Sequence, residues 1–197
     1  MKKAFYTFIS VAFGLVLFAA ESSAVFPAGE QEKDSKIYFH LGTQDSGRIS
    51  FLNDGGRNAV KVEVMKTKRD KTGKDVLYLL LMAGGTEKAP KCGFDVTSDS
   101  DYVISFDIKG QGARVFIAAQ EMREQKIWGR SEPLKLNGVF PIPLTGEWTP
   151  RKYRFSTTAE GSRVRIHFSF YGEGSKMSEK PGDYFMISNL RLAKEEE

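Results

Sequence analysis

The chain has 197 residues, of which 41% are apolar, 27% charged and 12% aromatic, with 19 glycines. That apolar share supports one sizeable core and excludes a disordered or collagen-like chain. A formal charge of +4 is too mild to point to nucleic acid.

In chain order, Lys2 and Lys3 give a positive start, Phe5 to Ala20 form an apolar stretch, and Ser22-Ser23-Ala24 places small residues where a signal peptidase reads. This predicts a secretory signal peptide over residues 1–24 and export to the periplasm or the extracellular space. A membrane anchor fits less well, because Tyr6, Thr7 and Ser10 interrupt the stretch, Glu21 ends it, and it is short for a span of about 20 residues. No membrane span is expected after cleavage, and no cysteine near the cleavage point offers a lipid anchor. Cleavage removes Lys2, Lys3 and Glu21 and leaves a charge of +3. Residues 25–35 read as a flexible leader, 36–193 as one β-sandwich domain and 194–197 as a charged tail. Cys92 is the only cysteine, so no intramolecular disulfide can form, and neither a histidine nor a helix start is visibly placed to activate its thiol.

Beyond residue 35 the dominant period is two. Short β-branched or aromatic segments run from Ile37 to Leu41, Arg48 to Leu52, Val60 to Val64, Val76 to Met82, Tyr102 to Lys109, Arg114 to Gln120, Tyr153 to Thr157, Arg163 to Tyr171 and Tyr184 to Leu192. Most of them alternate between a core face and a wetter face, as antiparallel strands do. The charged stretch from Lys68 to Lys74 reads as a hairpin tip, and Gly110-Gln111-Gly112 as a tight link between two strands. Ala119 to Trp128 has the composition of a short helix, or of a strand end with its loop. About ten short strands in a chain of this size predict an all-β fold, an antiparallel β-sandwich of the jelly-roll kind.

The second half has a familiar order: Tyr102 to Gly110, a second strand, Leu144-Thr-Gly-Glu-Trp148 with Phe155 seven residues on, Val164 to Phe170, then Tyr184 to Leu192. This resembles the galactose-binding-like jelly-roll carbohydrate-binding modules, the cellulose- and xylan-binding type often appended to glycoside hydrolases. The likeness covers roughly residues 95–193; before it, only Asn58 to Val64 resembles an early strand of those modules. It implies a polysaccharide or oligosaccharide partner, with any glycoside hydrolase on a separate chain, since this one ends five residues after Leu192. It also raises a structural calcium. Where such modules commonly carry acids in the last strand, this chain has Ser188 and Asn189, weak substitutes for a carboxylate on a hard cation. The expected roles of Trp148, Phe155 and Tyr102 are core packing.

Sugar binding needs flat apolar surface for the rings and fixed polar groups for the hydroxyls. On the wetter strand faces, Phe116 shares a side with Arg114 and Gln120, Tyr171 shares one with His167 and Arg165, and Asp107 lies on a third. Trp128, in a loop-like stretch, is the candidate aromatic platform. The two histidines, His40 and His167, have no companion at metal-ligand spacing, and His167 reads as a satisfied surface or half-buried side chain. Glu121 and Glu124 read as a solvated face. Neither a Gly-x-Ser-x-Gly elbow, nor a Gly-rich phosphate loop, nor a strand with alternating carboxylates is present, so no catalytic residue is assigned. The expectation is a secreted, non-catalytic carbohydrate-binding module. The alternatives are a structural or protein-interaction sandwich of the cell envelope, and a glycan-active hydrolase or lyase.

Overall fold

The computed structural model describes residues 22–23, 38–42, 46–69, 71–73, 75–85, 93–112, 114–122, 131–138, 140–173 and 179–195. These are strands and their links, with no helix among the described residues. In chain order they are β1 (Ser22–Ser23), β2 (Phe39–Leu41), β3 (Gly47–Asp54), β4 (Arg57–Val64), β5 (Lys68–Arg69), β6 (Asp75–Ala83) and β7 (Phe94–Asp95). There follow β8 (Asp101–Gln111), β9 (Arg114–Met122), β10 (Ser131–Leu134), β11 (Ile142–Pro143), β12 (Thr149–Ser156), β13 (Arg163–Glu173) and β14 (Tyr184–Lys194).

Two antiparallel sheets face each other. One runs β12-β8-β14-β4-β3, with β1 beside β14; the other runs β10-β9-β13-β6-β2, with β11 beside β9, β5 beside β6 and β7 beside β13. Inward residues of both form one core: Val60, Val62, Ile104, Phe106, Ile108, Phe185 and Ile187 from the first sheet meet Leu77, Leu79, Leu81, Val115, Ile117, Ile166, Phe168 and Phe170 from the second. Edge-to-face rings bridge the layers, with Phe106 and Phe168 at 4.9 Å and Phe170 and Phe185 at 5.0 Å between centroids. Such pairs contribute about 0.5 to 1.5 kcal/mol beyond their buried area. Tyr102 and Phe155 stack in this core at 5.8 Å, as expected. Trp148 does not join them, being half-buried on the outer face of the first sheet.

The links differ from the simplest reading of the sequence. Gly110-Gln111-Gly112 does not pair its two strands but passes the chain from one sheet to the other, because β8 pairs with β12 and β14 whereas β9 pairs with β13 and β10. Likewise the charged tip from Lys68 onward joins β5 to β6, Lys68 opposite Val76, and the change of sheet has already occurred after β4. The two-residue hairpin between β3 and β4 turns on Gly55 and Gly56, both at positive φ (61° and 88°), where glycine carries no steric penalty. Ala119 to Met122 is strand, not helix, and residues 123–130 lie outside the described part. Glu195, read from sequence as tail, is anchored: its amide donates to the Asp101 carbonyl at 2.8 Å and its carboxylate accepts from Arg154 Nε at 2.7 Å. β1, within the expected signal peptide, pairs Ser22 with Leu192 and Ser23 with Arg191.

Candidate functional site

Strand parity decides which side chains the second sheet sends outward. With Val115, Ile117 and Ala119 inward, Arg114, Phe116, Ala118 and Gln120 of β9 face out; with Ile166, Phe168 and Phe170 inward, Arg165, His167 and Ser169 of β13 do; with Leu77, Leu79 and Leu81 inward, Tyr78, Leu80 and Met82 of β6 do. The ladder register sets them in rows. Gln120 lies opposite Arg165; Ala118, His167, Met82 and His40 form the next row; Phe116, Ser169 and Leu80 the one after. Tyr171 occupies the position opposite Tyr78 one step further on.

Two groups that the sequence assigned to separate faces therefore belong to one, because β9 and β13 are neighbours in the same sheet. Arg114, Phe116, Gln120 and His167 come together there, and Tyr171 shares the register. Asp107 does not: it faces out from the other sheet, its Oδ2 taken by Arg57 Nη1 and by Asn189 Nδ2 at 2.7 Å. Trp128 lies outside the described residues, as do Cys92 and Glu124.

The face is sunken at one end and open at the other. Arg165, His167 and Met82 are 8%, 7% and 5% exposed, whereas Tyr78 is 44% exposed. Arg114 stands exposed at the open end, its guanidinium carbon 5.5 Å from the Phe116 ring centroid. Gln120 Oε1 accepts from Arg165 Nη2 at 3.2 Å, which fixes both side chains. His167 is not the satisfied histidine the sequence led us to expect. Its Nε2 is buried and has no hydrogen-bond partner among the described residues. Burial first, and the charge of Arg165 second, pull the imidazole down to about 4, so it is neutral at pH 7.

Tyr78 escaped the sequence reading. Val76 to Met82 is apolar without a break, so parity could not be read from it; only the pairing of β6 with β13 shows which of its residues face out. Glu121 is corrected as well. It is fully buried on the inward side of β9, where its carboxylate accepts from the Thr158 amide at 2.8 Å and the Thr158 hydroxyl at 2.6 Å.

On the outer face of the first sheet the polar groups satisfy one another. Asp54 Oδ2 accepts from Lys109 Nζ and Trp148 Nε1, both at 2.8 Å, and Arg57 and Lys109 lie 5.7 and 5.9 Å from the Trp148 ring centroid. Calcium does not fit there. The Ser188 hydroxyl is spent on the Asn58 carbonyl at 2.7 Å, Asn189 on Asp107, and among the described residues no three His, Cys, Asp or Glu side chains gather as a metal site.

No family model matches the chain, and no curated protein matches it in sequence. Solved structures do match in fold. The N-terminal CBM22-1–GH10 modules of Clostridium thermocellum endo-1,4-beta-D-xylanase 10B, complexed with xylohexaose, align over 91% of this chain and 29% of that one, at 12% identity and a TM-score of 0.52. The CBM22-1 xylan-binding domain from Paenibacillus barcinonensis Xyn10C aligns over 89% of this chain and 97% of that one, at 9% identity and a TM-score of 0.50. The enzymatically active domain of bacteriophage CBA120 tailspike protein 4 aligns over 82% of this chain, at 12% identity and a TM-score of 0.50, and the chain spans 20% of its length. The chain thus has the antiparallel jelly-roll sandwich seen in carbohydrate-binding modules.

Proposed function

We propose that this protein is an exported, non-catalytic carbohydrate-binding module that holds a polysaccharide or oligosaccharide on the outward face of β9, β13 and β6. The observation that carries the reading is His167 Nε2, buried toward the sunken end of that face and without a partner among the described residues. A buried polar atom left unpaired costs about 1 to 3 kcal/mol, and a sugar hydroxyl reaching it would recover that cost. Phe116, one row from it, and Tyr78, two rows from it, supply flat apolar surface on the same face, and the Gln120–Arg165 pair supplies oriented donors. The described side chains of the face bring no two carboxylates together, the arrangement that glycosidic hydrolysis works with, and the reading is accordingly one of binding. The fold shared with a xylan-binding domain supports it.

With one or two aromatic platforms, binding is expected to be weak, at a Kd of about 1 mM, which needs only about −4.1 kcal/mol. Affinity electrophoresis through gels containing xylan, glucans, cellulose derivatives, mannan and pectin detects interactions of that strength. Wild-type protein is expected to be retarded by at least one polymer, and Phe116→Ala to lose most of the retardation while keeping its circular dichroism. Free migration through every polymer would overturn the proposal.

A further inference from the structure

Charge on the same face says more about its ligand. The strands of the second sheet send out Arg114 and Arg163, and Arg163 Nε is bonded to the Asp95 carboxylate at 2.9 Å. Arg114 has no carboxylate partner among the described residues. Its guanidinium sits at the open end of the face, over the Phe116 ring with 5.5 Å from its carbon to the ring centroid. The opposite sheet shows the contrast: there Arg48 meets Glu63 at 2.8 Å, Lys109 meets Asp54 at 2.8 Å, and Arg57 meets Asp107.

We propose, resting on the carbohydrate reading above, that this face takes a polysaccharide bearing uronate carboxylates. Because the Arg114 guanidinium lies over the Phe116 ring, a sugar docking at that aromatic meets the guanidinium directly, and a carboxylate on its C5 carbon comes within reach of it. The planar guanidinium matches a carboxylate with two parallel N–H···O bonds, a match that a hydroxymethyl group cannot supply. His167, neutral above pH 5 or so and hence without charge to repel or attract, is left to pair with hydroxyls.

The test compares acidic polymers with their neutral counterparts: polygalacturonate with its methyl ester, polymannuronate with mannan, and glucuronoxylan with unsubstituted xylan, each at low and high salt, by affinity electrophoresis and titration calorimetry. The proteins are wild type, Arg114→Gln and Arg114→Lys; position 114 is exposed, and circular dichroism checks that the variants fold. The expected result is that one acidic member binds about tenfold tighter than its neutral partner, equivalent to 1.4 kcal/mol, with the preference lost in Arg114→Gln and reduced in Arg114→Lys. Equal binding of the two members of every pair overturns the uronate assignment and leaves the carbohydrate reading standing. An acidic preference that survives in Arg114→Gln assigns it to overall charge and overturns the proposal too. Failure of every polymer to bind overturns both readings.

Discussion

His167 joins stability to binding. Its pKa of about 4 lies below the 6.5 of an unfolded chain, so as pH falls the unfolded state takes up the proton first. The native state therefore loses stability as pH drops from about 6.5 to about 4, by on the order of 3 kcal/mol, and this contribution is constant above that window. Carboxylates add an acid loss of their own, since Arg48 hydrogen-bonds to Glu63, and Lys109 and Trp148 to Asp54, holding both pKa values down. The variant isolates the imidazole: His167→Gln is expected to flatten the fall in urea midpoint between pH 7 and pH 4.5 relative to wild type. An identical fall in both proteins would show that the histidine is not buried neutral. Sequence could name His167 and Phe116 as outward candidates from alternation alone, but burial depends on neighbours three strands wide.

At the level of elements, Glu121 ties the end of β9 to the link between β12 and β13. Its carboxylate holds Thr158 from both its amide and its hydroxyl, and a Cβ built on Gly161 would lie 1.9 Å from Glu121 Oε1. Glu121→Ala removes both bonds to Thr158 and is expected to cost about 3 kcal/mol, or about 6 to 12 °C in Tm. Gly161→Ala is expected to destabilise by steric conflict with the same carboxylate. If the two groups act as argued, the double variant loses less than the sum of the single losses, and strict additivity in a thermal or urea cycle would refute the contact. β14 shows what alternation can still conceal. Phe185 and Ile187 point inward at odd positions, Leu190 and Leu192 at even ones, and the change of phase is a bulge between Ser188 and Arg191 with Asn189 at φ 52°. The bond from Asn189 to Asp107 that steadies the bulge could not be read from the sequence, because 82 residues of chain separate them.

At the level of the molecule, the last two long strands complete both layers: β13 lies between β9 and β6, and β14 between β8 and β4. Neither sheet is continuous until the end of the chain arrives. Truncation before Tyr184 is therefore expected to abolish folding, read as loss of the cooperative thermal transition, and a surviving transition would contradict the topology. Refolding of the intact chain is expected on the millisecond-to-second scale of sandwiches dominated by distant pairings, measurable by stopped-flow fluorescence. The expected signal peptide bears on the same scale. If the chain is cleaved after Ala24, N-terminal sequencing of the secreted protein reads Val25, and β1 leaves the edge of β14. Only two residue pairs are lost, so Tm is expected to be unchanged by removing residues 1–24.

Alternation along 102–109, 114–120 and 163–171, with Gly, Asp and Asn between strands, determined the all-β class, the sandwich and most of the core, including Tyr102 and Phe155. Those features are local, because a strand's two faces are set by its own period of two. Only the tertiary structure decided that Gly110 to Gly112 crosses between sheets, that Trp148 sits on Asp54 and not in the core, that Glu121 is buried, and that Arg114, Phe116, Gln120 and His167 share one face. Which strand lies beside which is settled by burial of the whole apolar surface at once, and no short stretch of sequence contains that sum.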